Sequence, residues 1–157
     1  GVFGSHSFVE ALTSGATSLP APCRPAGGFP ASADHRAITL DMVGWRSPNH
    51  GYSTPTLTLE TKPWSTDVTE EVAQASRRFN KNRLALRYNS APFGSDHVSF
   101  LSESYHAMLA IHGDDGSYPA YHTSQDVLGN VDPQIFGMIG RACAGGLMRI
   151  AEVNISC

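Results

Sequence analysis

The chain has 157 residues, of which 41% are hydrophobic, and a formal net charge of −3 at pH 7. This length suffices for one domain with a packed core. A domain that binds nucleic acid usually carries a basic surface, so the slightly acidic balance argues against that class of function. No apolar run reaches the length needed to cross a bilayer, and no signal peptide is evident.

Helical and strand-like patterns alternate along the chain, which is typical of an α/β layered sheet. Segments rich in glycine, proline and small polar residues, at 14–34 and 45–55, are predicted to be loops. The predicted elements are a helix from Ser5 to Leu12, a buried strand from Ala37 to Val43, a strand from Thr56 to Glu60, a helix from Ser65 or Thr66 to about Phe79, a strand from Leu84 to Tyr88, a short helix from Ser95 through Ser104 and a strand from Ala107 to Ile111.

The final helix has the clearest boundary signal. Asp132 is predicted as its cap and Pro133 as its first residue, a position that tolerates proline because the missing N–H has no helical partner there. Apolar residues then recur at helical spacing up to Val153. Hydroxyl side chains are expected to cap the earlier helices, with Ser5 at the first, Ser65 or Thr66 at the second and Ser95 at the short third helix.

Side chains able to bind a metal occur near predicted strand ends and turns. Asp41 is a carboxylate near the end of an otherwise apolar strand, where a buried charge needs a partner. Ligand sites in open α/β sheets lie at the carboxyl ends of strands, which favours a metal ion as the partner of Asp41. The alternative is that the Asp41 carboxylate caps a following turn or pairs with an arginine. His122 carries an imidazole, the commonest metal ligand, although an isolated loop histidine is more often simply exposed.

Tyr121 and Asp96 each have more than one interpretation. Tyr121 either donates its phenolic hydrogen to an oxyanion or forms part of a rim. Asp96 either orients a metal-bound histidine, meets a substrate amine, or is an acid favoured in the first turn of a helix. In the last case His97 is an ordinary helix residue.

The remaining charged and thiol groups are interpreted as structural. Glu70-Glu71 lies near the start of a well-patterned helix, where acids are favoured, and Arg77-Arg78 lies near its end. Cys143 falls on the apolar face of the final helix and is predicted to be a buried thiol. Cys23 and Cys157 could pair in an oxidising compartment, and the three cysteines have no metal-ligand spacing.

Four segments follow one another in a distinctive order. They are Leu40-Asp41-Met42-Val43-Gly44, Gly94-Ser95-Asp96-His97-Val98-Ser99-Phe100, Tyr118-Pro119-Ala120-Tyr121-His122-Thr123-Ser124-Gln125-Asp126 and Asn130-Val131-Asp132-Pro133. This order resembles the co-catalytic dizinc exopeptidase family, which includes secreted leucyl aminopeptidases, glutamate carboxypeptidase, glutaminyl cyclases and the catalytically silent ectodomain of the transferrin receptor. The resemblance covers nearly the whole chain and implies a three-layer helix–sheet–helix fold with a mixed, mostly parallel sheet.

The resemblance also implies roles for individual residues. Asp41 would ligate one zinc ion and His122 the other, and Tyr121 would hydrogen-bond the tetrahedral intermediate. Ser95-Asp96-His97 would form a supporting motif at the rim of the site, in contact with the ligands or the substrate. The secreted members of the family favour a secreted or lumenal compartment.

The first residues, Gly1-Val2-Phe3-Gly4-Ser5, resemble the segment that follows the family's Glu-Glu pair, which supplies the general base and one zinc ligand. Residues 1–157 are therefore expected to be the C-terminal portion of a single domain, with the other ligands in an N-terminal half carried by a preceding segment or a separate chain. Alone, the chain is expected to bind zinc weakly and to hydrolyse nothing measurable, because a hydrolytic zinc ion needs about three protein ligands and its water needs a base.

The function that the resemblance implies is that of a zinc-dependent aminopeptidase, which releases N-terminal residues from peptides with zinc-activated water. Two alternatives stay open. One is a non-catalytic structural or interaction module derived from the same fold, and the other is a glutaminyl cyclase. Each accepts a peptide or protein partner, and none needs a nucleic acid or a membrane span.

Overall fold

The computed structural model describes residues 2–14, 34–48 and 54–152, so Cys23, Cys157 and much of both predicted long loops lie outside the described residues. The helices and strands are α1 (Phe3–Thr13), β1 (Arg36–Leu40), β2 (Thr56–Glu60), α2 (Thr66–Asn80), β3 (Ala85–Asn89), α3 (His97–Ser102), β4 (His106–His112) and α4 (Pro133–Ile150). Each predicted helix and strand therefore has a counterpart, with boundaries that differ by a few residues.

The four strands form one mixed sheet in the order β1-β4-β2-β3. β1 pairs with β4, and β2 pairs with β3, in parallel, whereas β2 and β4 are antiparallel. β1 and β4 therefore run in one direction and β2 and β3 in the other, but the strands are staggered, so Leu40, Ala110, Leu59 and Tyr88 lie in one row across the sheet. A mixed and mostly parallel sheet is what the family resemblance implies.

Two hydrophobic clusters on the two faces of the sheet make the domain three layers deep. The side chains of β4 lie alternately on the two faces, because successive side chains of a strand point in opposite directions. The larger cluster joins β2 and β4 to α2 and α4 through Leu57, Leu59, Val68, Val72, Ala73, Met108, Ala110, Ile135, Met138, Ile139, Ala142 and Cys143. The smaller cluster joins β4 to α1 and α3 through Val9, Leu12, Phe100, Leu101, Tyr105 and Ala107.

Helix α4 begins as the sequence predicts. Asp132 Oδ1 accepts the backbone N–H groups of Gln134 and Ile135, at 2.8 and 3.3 Å, and Pro133 is the first helical residue. Cys143 is a buried free thiol, which confirms the prediction, and burial raises its pKa to about 12.

Two of the predicted serine caps are wrong, because their hydroxyl groups bond elsewhere. Helix α1 begins at Phe3, and the Ser5 hydroxyl donates to the Val2 carbonyl instead of accepting a helical N–H. Ser65 does precede α2, but its hydroxyl oxygen accepts the Ala107 N–H at 2.9 Å. The Ser65 side chain thus ties α2 to β4 rather than closing the helix end.

Candidate functional site

Asp41 lies immediately after β1, at the carboxyl end of the strand. The predicted buried strand to Val43 is wrong in two respects, since β1 ends at Leu40 and is only partly covered. Leu40 is 49% exposed, and Asp41 is exposed as well. The backbone N–H of Asp41 still bonds to the Ala110 carbonyl of β4 at 3.2 Å. The carboxylate is therefore held at the sheet edge by its backbone and is open to a ligand.

The segment that follows β3 brings a second predicted residue to Asp41. The Ser95 hydroxyl donates to Asp41 Oδ2 at 2.9 Å across 54 positions of sequence. Ser95 is therefore not a helix cap, and the short helix α3 begins at His97 with Asp96 at its N-cap position. The Asp96 side chain is exposed and makes no capping hydrogen bond to α3.

Asp41 lies where two clefts meet, together with Met42 and Tyr118. The first cleft, of about 220 Å³, is lined mainly by apolar and aromatic side chains and includes Ser95 and Tyr121. The second, of about 530 Å³, extends from Asp41 toward the start of α4. Asp41, Ser95 and Tyr121 are therefore brought together around a single concave surface.

Tyr121 and His122 lie in a turn before α4. Their rings stack with centroids 3.8 Å apart and an interplanar angle of 18°. Both side chains are exposed, and His122 adopts the left-handed backbone region with φ of 56°. The turn is closed by the Thr123 hydroxyl, which donates to the Ala120 carbonyl at 2.9 Å. Tyr121 faces the first cleft, whereas His122 does not line either cleft.

A hydrogen-bonded group supports the same turn from the side of α4. The Tyr118 hydroxyl donates to Asp126 Oδ1 at 2.5 Å and accepts from the Asn130 amide at 3.2 Å. The Asn130 amide also donates to the Gln125 carbonyl at 2.8 Å. The hydrogen bond to the Asp126 carboxylate raises the pKa of Tyr118, because it stabilises the protonated phenol.

His97 is the first residue of α3, and its side chain is fully buried. Its Nε2 lies 3.2 Å from Glu60 Oε1, and both side chains are at most 1% exposed. Burial lowers the pKa of His97 to about 4, against the opposing charges of Asp96 and Asp41. His97 is therefore a neutral imidazole inside the protein and is not available at the rim to bind a ligand.

Sequence reasoning missed Glu60. The alternation in Thr56-Leu57-Thr58-Leu59-Glu60 indicates a strand whose polar face meets water, and a glutamate fits such a face. In the structure that face is covered by α3 and the segment before it, and Glu60 is 1% exposed. The available signal was the layered fold itself, because a three-layer domain leaves no solvated face on a central strand.

His112, at the end of β4, was also missed. It is 1% exposed, and its Nδ1 accepts the Trp45 backbone N–H at 3.3 Å. The Trp45 and Tyr118 rings lie 5.6 and 6.3 Å from its ring centre. Burial lowers the pKa of His112 to about 4, and the nearby carboxylates, chiefly Asp115, oppose this only in part.

This burial predicts a pH dependence of stability. The unfolded chain protonates His112 near its ordinary pKa of 6.5, whereas the folded protein does so only near 4. The free energy of unfolding should therefore fall as pH drops from 6.5 to 4, by about 3 kcal/mol from this residue. Urea unfolding at several pH values gives the dependence of the free energy of unfolding on pH. Between pH 6.5 and 4 this dependence should correspond to about one proton fewer in His112→Gln than in the wild type. An unchanged dependence in that variant would contradict the assignment.

Comparison with known proteins identifies the family. A sequence model of peptidase family M28 matches residues 1–146. The chain belongs to peptidase family M28. This match confirms the predicted resemblance to the co-catalytic zinc exopeptidases. A comparison with curated proteins finds no match.

Solved structures of longer chains share the fold of this M28 chain. BSAP, a zinc aminopeptidase from Bacillus subtilis, is 21% identical with a TM-score of 0.65, covering 95% of this chain and 32% of that one. The LapA aminopeptidase of Legionella pneumophila is 18% identical with a TM-score of 0.67, covering 99% and 37%. The γ-secretase component nicastrin is 16% identical with a TM-score of 0.68, covering 98% and 30%. The chain thus spans about a third of the length of each, and the likeness shows the fold.

The described part of this M28 chain contains no group of three histidine, cysteine, aspartate or glutamate side chains placed to hold a metal ion. Glu70 and Glu71 instead pair with Arg77 and Arg149, each at 2.6 Å, in agreement with their predicted structural role. Among the described helices, none is both long and apolar enough to cross a membrane. Asp41 and His122 remain the two ligands predicted from the sequence.

Proposed function

We propose that this chain is part of a zinc-dependent aminopeptidase, which releases N-terminal residues from peptides. The observation that carries the proposal is the Ser95 hydroxyl bound to Asp41 Oδ2 in a cleft that Tyr121 also lines. A carboxylate fixed by a neighbouring hydroxyl at a concave surface is typical of a metal ligand. Membership of peptidase family M28 supports the same reaction class.

Asp41 fits the part of a zinc ligand. Its carboxylate is exposed, and among the described residues its second oxygen, Oδ1, accepts no hydrogen bond. That oxygen is free to meet a cation while the Ser95 hydroxyl holds the other. His122 would hold a second ion through its exposed imidazole. We further propose that the remaining ligands and the general base lie outside this chain, which alone would bind zinc weakly and be inactive.

The chain's own residues would bind and orient the substrate. Bound zinc would polarise the scissile carbonyl and lower the pKa of water. Tyr121 would donate its phenolic hydrogen to the oxygen that gains negative charge, the kind of contact that strengthens in the transition state. Asp96, exposed one residue beyond Ser95, would attract the ammonium group of the substrate.

The first cleft suggests the kind of residue that is released. Its walls include the buried aliphatic side chains of Leu109 and Ile111 and the rings of Phe93 and Tyr118. A space of about 220 Å³ with such walls favours one apolar side chain at the N-terminus of the peptide. We therefore propose leucyl and similar substrates over acidic ones.

The test uses the intact protein that contains this chain. Release of a chromophore from a leucyl substrate should be lost with a zinc chelator and restored by added zinc, and a glutamyl substrate should be cleaved more slowly. A glutaminyl peptide assayed in parallel separates cleavage from cyclisation. The proposal fails if the intact protein releases no N-terminal residue in the presence of zinc.

A second candidate is a non-catalytic interaction module, because nicastrin, a component of a larger assembly, has the same fold. Metal analysis of the intact protein separates the two candidates. Bound zinc together with hydrolysis supports the aminopeptidase, whereas a stable protein without zinc or activity supports the module.

A further inference from the structure

Glu60 is a carboxylate buried between the central sheet and α3. It ends β2 and is 1% exposed. A carboxylate in such a place is costly unless its oxygens are hydrogen-bonded. Glu60 Oε1 accepts the Phe93 backbone N–H at 2.8 Å, and Glu60 Oε2 accepts from the Asn89 amide at 2.5 Å. His97 Nε2 lies 3.2 Å from Oε1.

All three partners of Glu60 belong to one stretch of chain, residues 89–97. This stretch connects β3 to α3, and Ser95 lies within it. Two residues after the Phe93 contact, the Ser95 hydroxyl meets Asp41 Oδ2 at 2.9 Å. A continuous set of contacts therefore leads from the buried Glu60 to the exposed Asp41.

We propose that Glu60 is a positioning residue, which fixes the segment 89–97 so that the Ser95 hydroxyl stays on Asp41. The role of Asp41 as a zinc ligand rests on the proposed function, whereas the anchoring of the segment does not. Glu60 itself touches neither Asp41 nor the first cleft.

The chemistry of the partners favours this role over simple packing. An apolar side chain could fill the same space without the cost of burying a carboxylate. A carboxylate is suited to a place where N–H donors converge, because its oxygens accept and never donate when ionised. At Glu60 the two donors are the Phe93 backbone N–H and the Asn89 amide. Here they converge from the one segment that carries the partner of Asp41. Hydrogen bonds that orient a metal ligand commonly change metal affinity by about 10- to 100-fold.

The main experiment compares Glu60→Gln, Ser95→Ala and the double variant in the intact protein. The glutamine amide would present donors to the Asn89 amide, which is itself a donor, so one contact must break. Zinc affinity, measured by competition with a fluorescent chelator, should fall by about 10-fold in Glu60→Gln. In the Ser95→Ala background, Glu60→Gln should lower zinc affinity by less than about twofold, because the contact between Ser95 and Asp41 is already absent. kcat should fall in Glu60→Gln with little change in KM.

A second measurement needs no zinc. Hydrogen exchange of the backbone amides of residues 93–98 should become faster in Glu60→Gln, and to a smaller extent in Asn89→Ala, which lies at the sheet edge and removes one partner. Glu71→Gln serves as the matched control, because it removes a carboxylate from a surface ion pair with Arg149. That control should leave exchange in the segment and zinc affinity unchanged.

Three results would overturn the inference. The first is unchanged hydrogen exchange in both Glu60→Gln and Asn89→Ala, and the second is unchanged zinc affinity in Glu60→Gln. The third is a loss of zinc affinity in the double variant that equals the sum of the losses in Glu60→Gln and Ser95→Ala. The last would mean that Glu60 stabilises the fold without acting through Ser95. If the intact protein binds no zinc, the proposed function fails, and the exchange experiment still decides whether Glu60 anchors the segment.

Discussion

Replacing Asp41 with asparagine in the intact protein is expected to lower kcat/KM for a leucyl substrate by at least about 100-fold. The amide keeps the size of the side chain and can still contact the Ser95 hydroxyl, but it removes the negative charge that would hold zinc. Because Asp41 is exposed, the change should leave the melting temperature close to that of the wild type. Zinc content and steady-state kinetics measure the effect.

Glu103→Gln provides the matched control for the Asp41 variant. Glu103 is an exposed carboxylate at the end of α3, outside both clefts. Its neutralisation changes the net charge by the same amount and should leave kcat/KM unchanged. Retention of more than a tenth of wild-type activity by Asp41→Asn would show that Asp41 is not a metal ligand.

A large effect of a single substitution on stability is expected at the contact between α2 and α4, where Gly146 meets Val72. A Cβ atom added at Gly146 would lie 2.6 Å from Val72 Cγ2 and 2.9 Å from Val72 Cα. The second of these atoms is backbone, so the helices must separate to admit a methyl group. Gly146→Ala should therefore lower the free energy of unfolding by about 1–3 kcal/mol.

Gly140, in the same helix, gives the opposite prediction. A Cβ atom there meets nothing within 4 Å, so Gly140→Ala should raise stability by about 0.5–1 kcal/mol through the better helix propensity of alanine. Urea unfolding of the two variants measures both effects against the same wild type. Equal changes at the two positions would mean that the α2–α4 contact does not limit side-chain size.

The elements that sequence analysis predicted well are those set by local chemistry. Asp132 and Pro133 define the start of α4 because capping and proline preference depend only on neighbouring backbone groups. The order of the four family-like segments predicted the family and the layered, mixed sheet. The predicted roles of Asp41 and His122 as zinc ligands stay predictions.

The features that sequence analysis missed depend on packing between distant residues. Glu60 follows a pattern typical of a half-solvated strand, and only the covering of that face by α3 makes it a buried acceptor. Ser95 resembles a cap in sequence, yet its hydroxyl meets a side chain 54 positions away. For Ser95, nearby backbone groups compete for the hydroxyl, and tertiary structure selects the partner that it uses.

The separation of β3 from β1 by two intervening strands sets a demand on chain length, because Asn89 lies in the same row of the sheet as Thr39. The segment after β3 must cross back over the sheet, past β2 and β4, to bring Ser95 to the end of β1. Three strand spacings amount to roughly 14 Å, and the six residue steps from Asn89 to Ser95 reach roughly 20 Å when extended. The crossing therefore has little slack, so a deletion of even two residues there would pull Ser95 away from Asp41, while both side chains stayed intact.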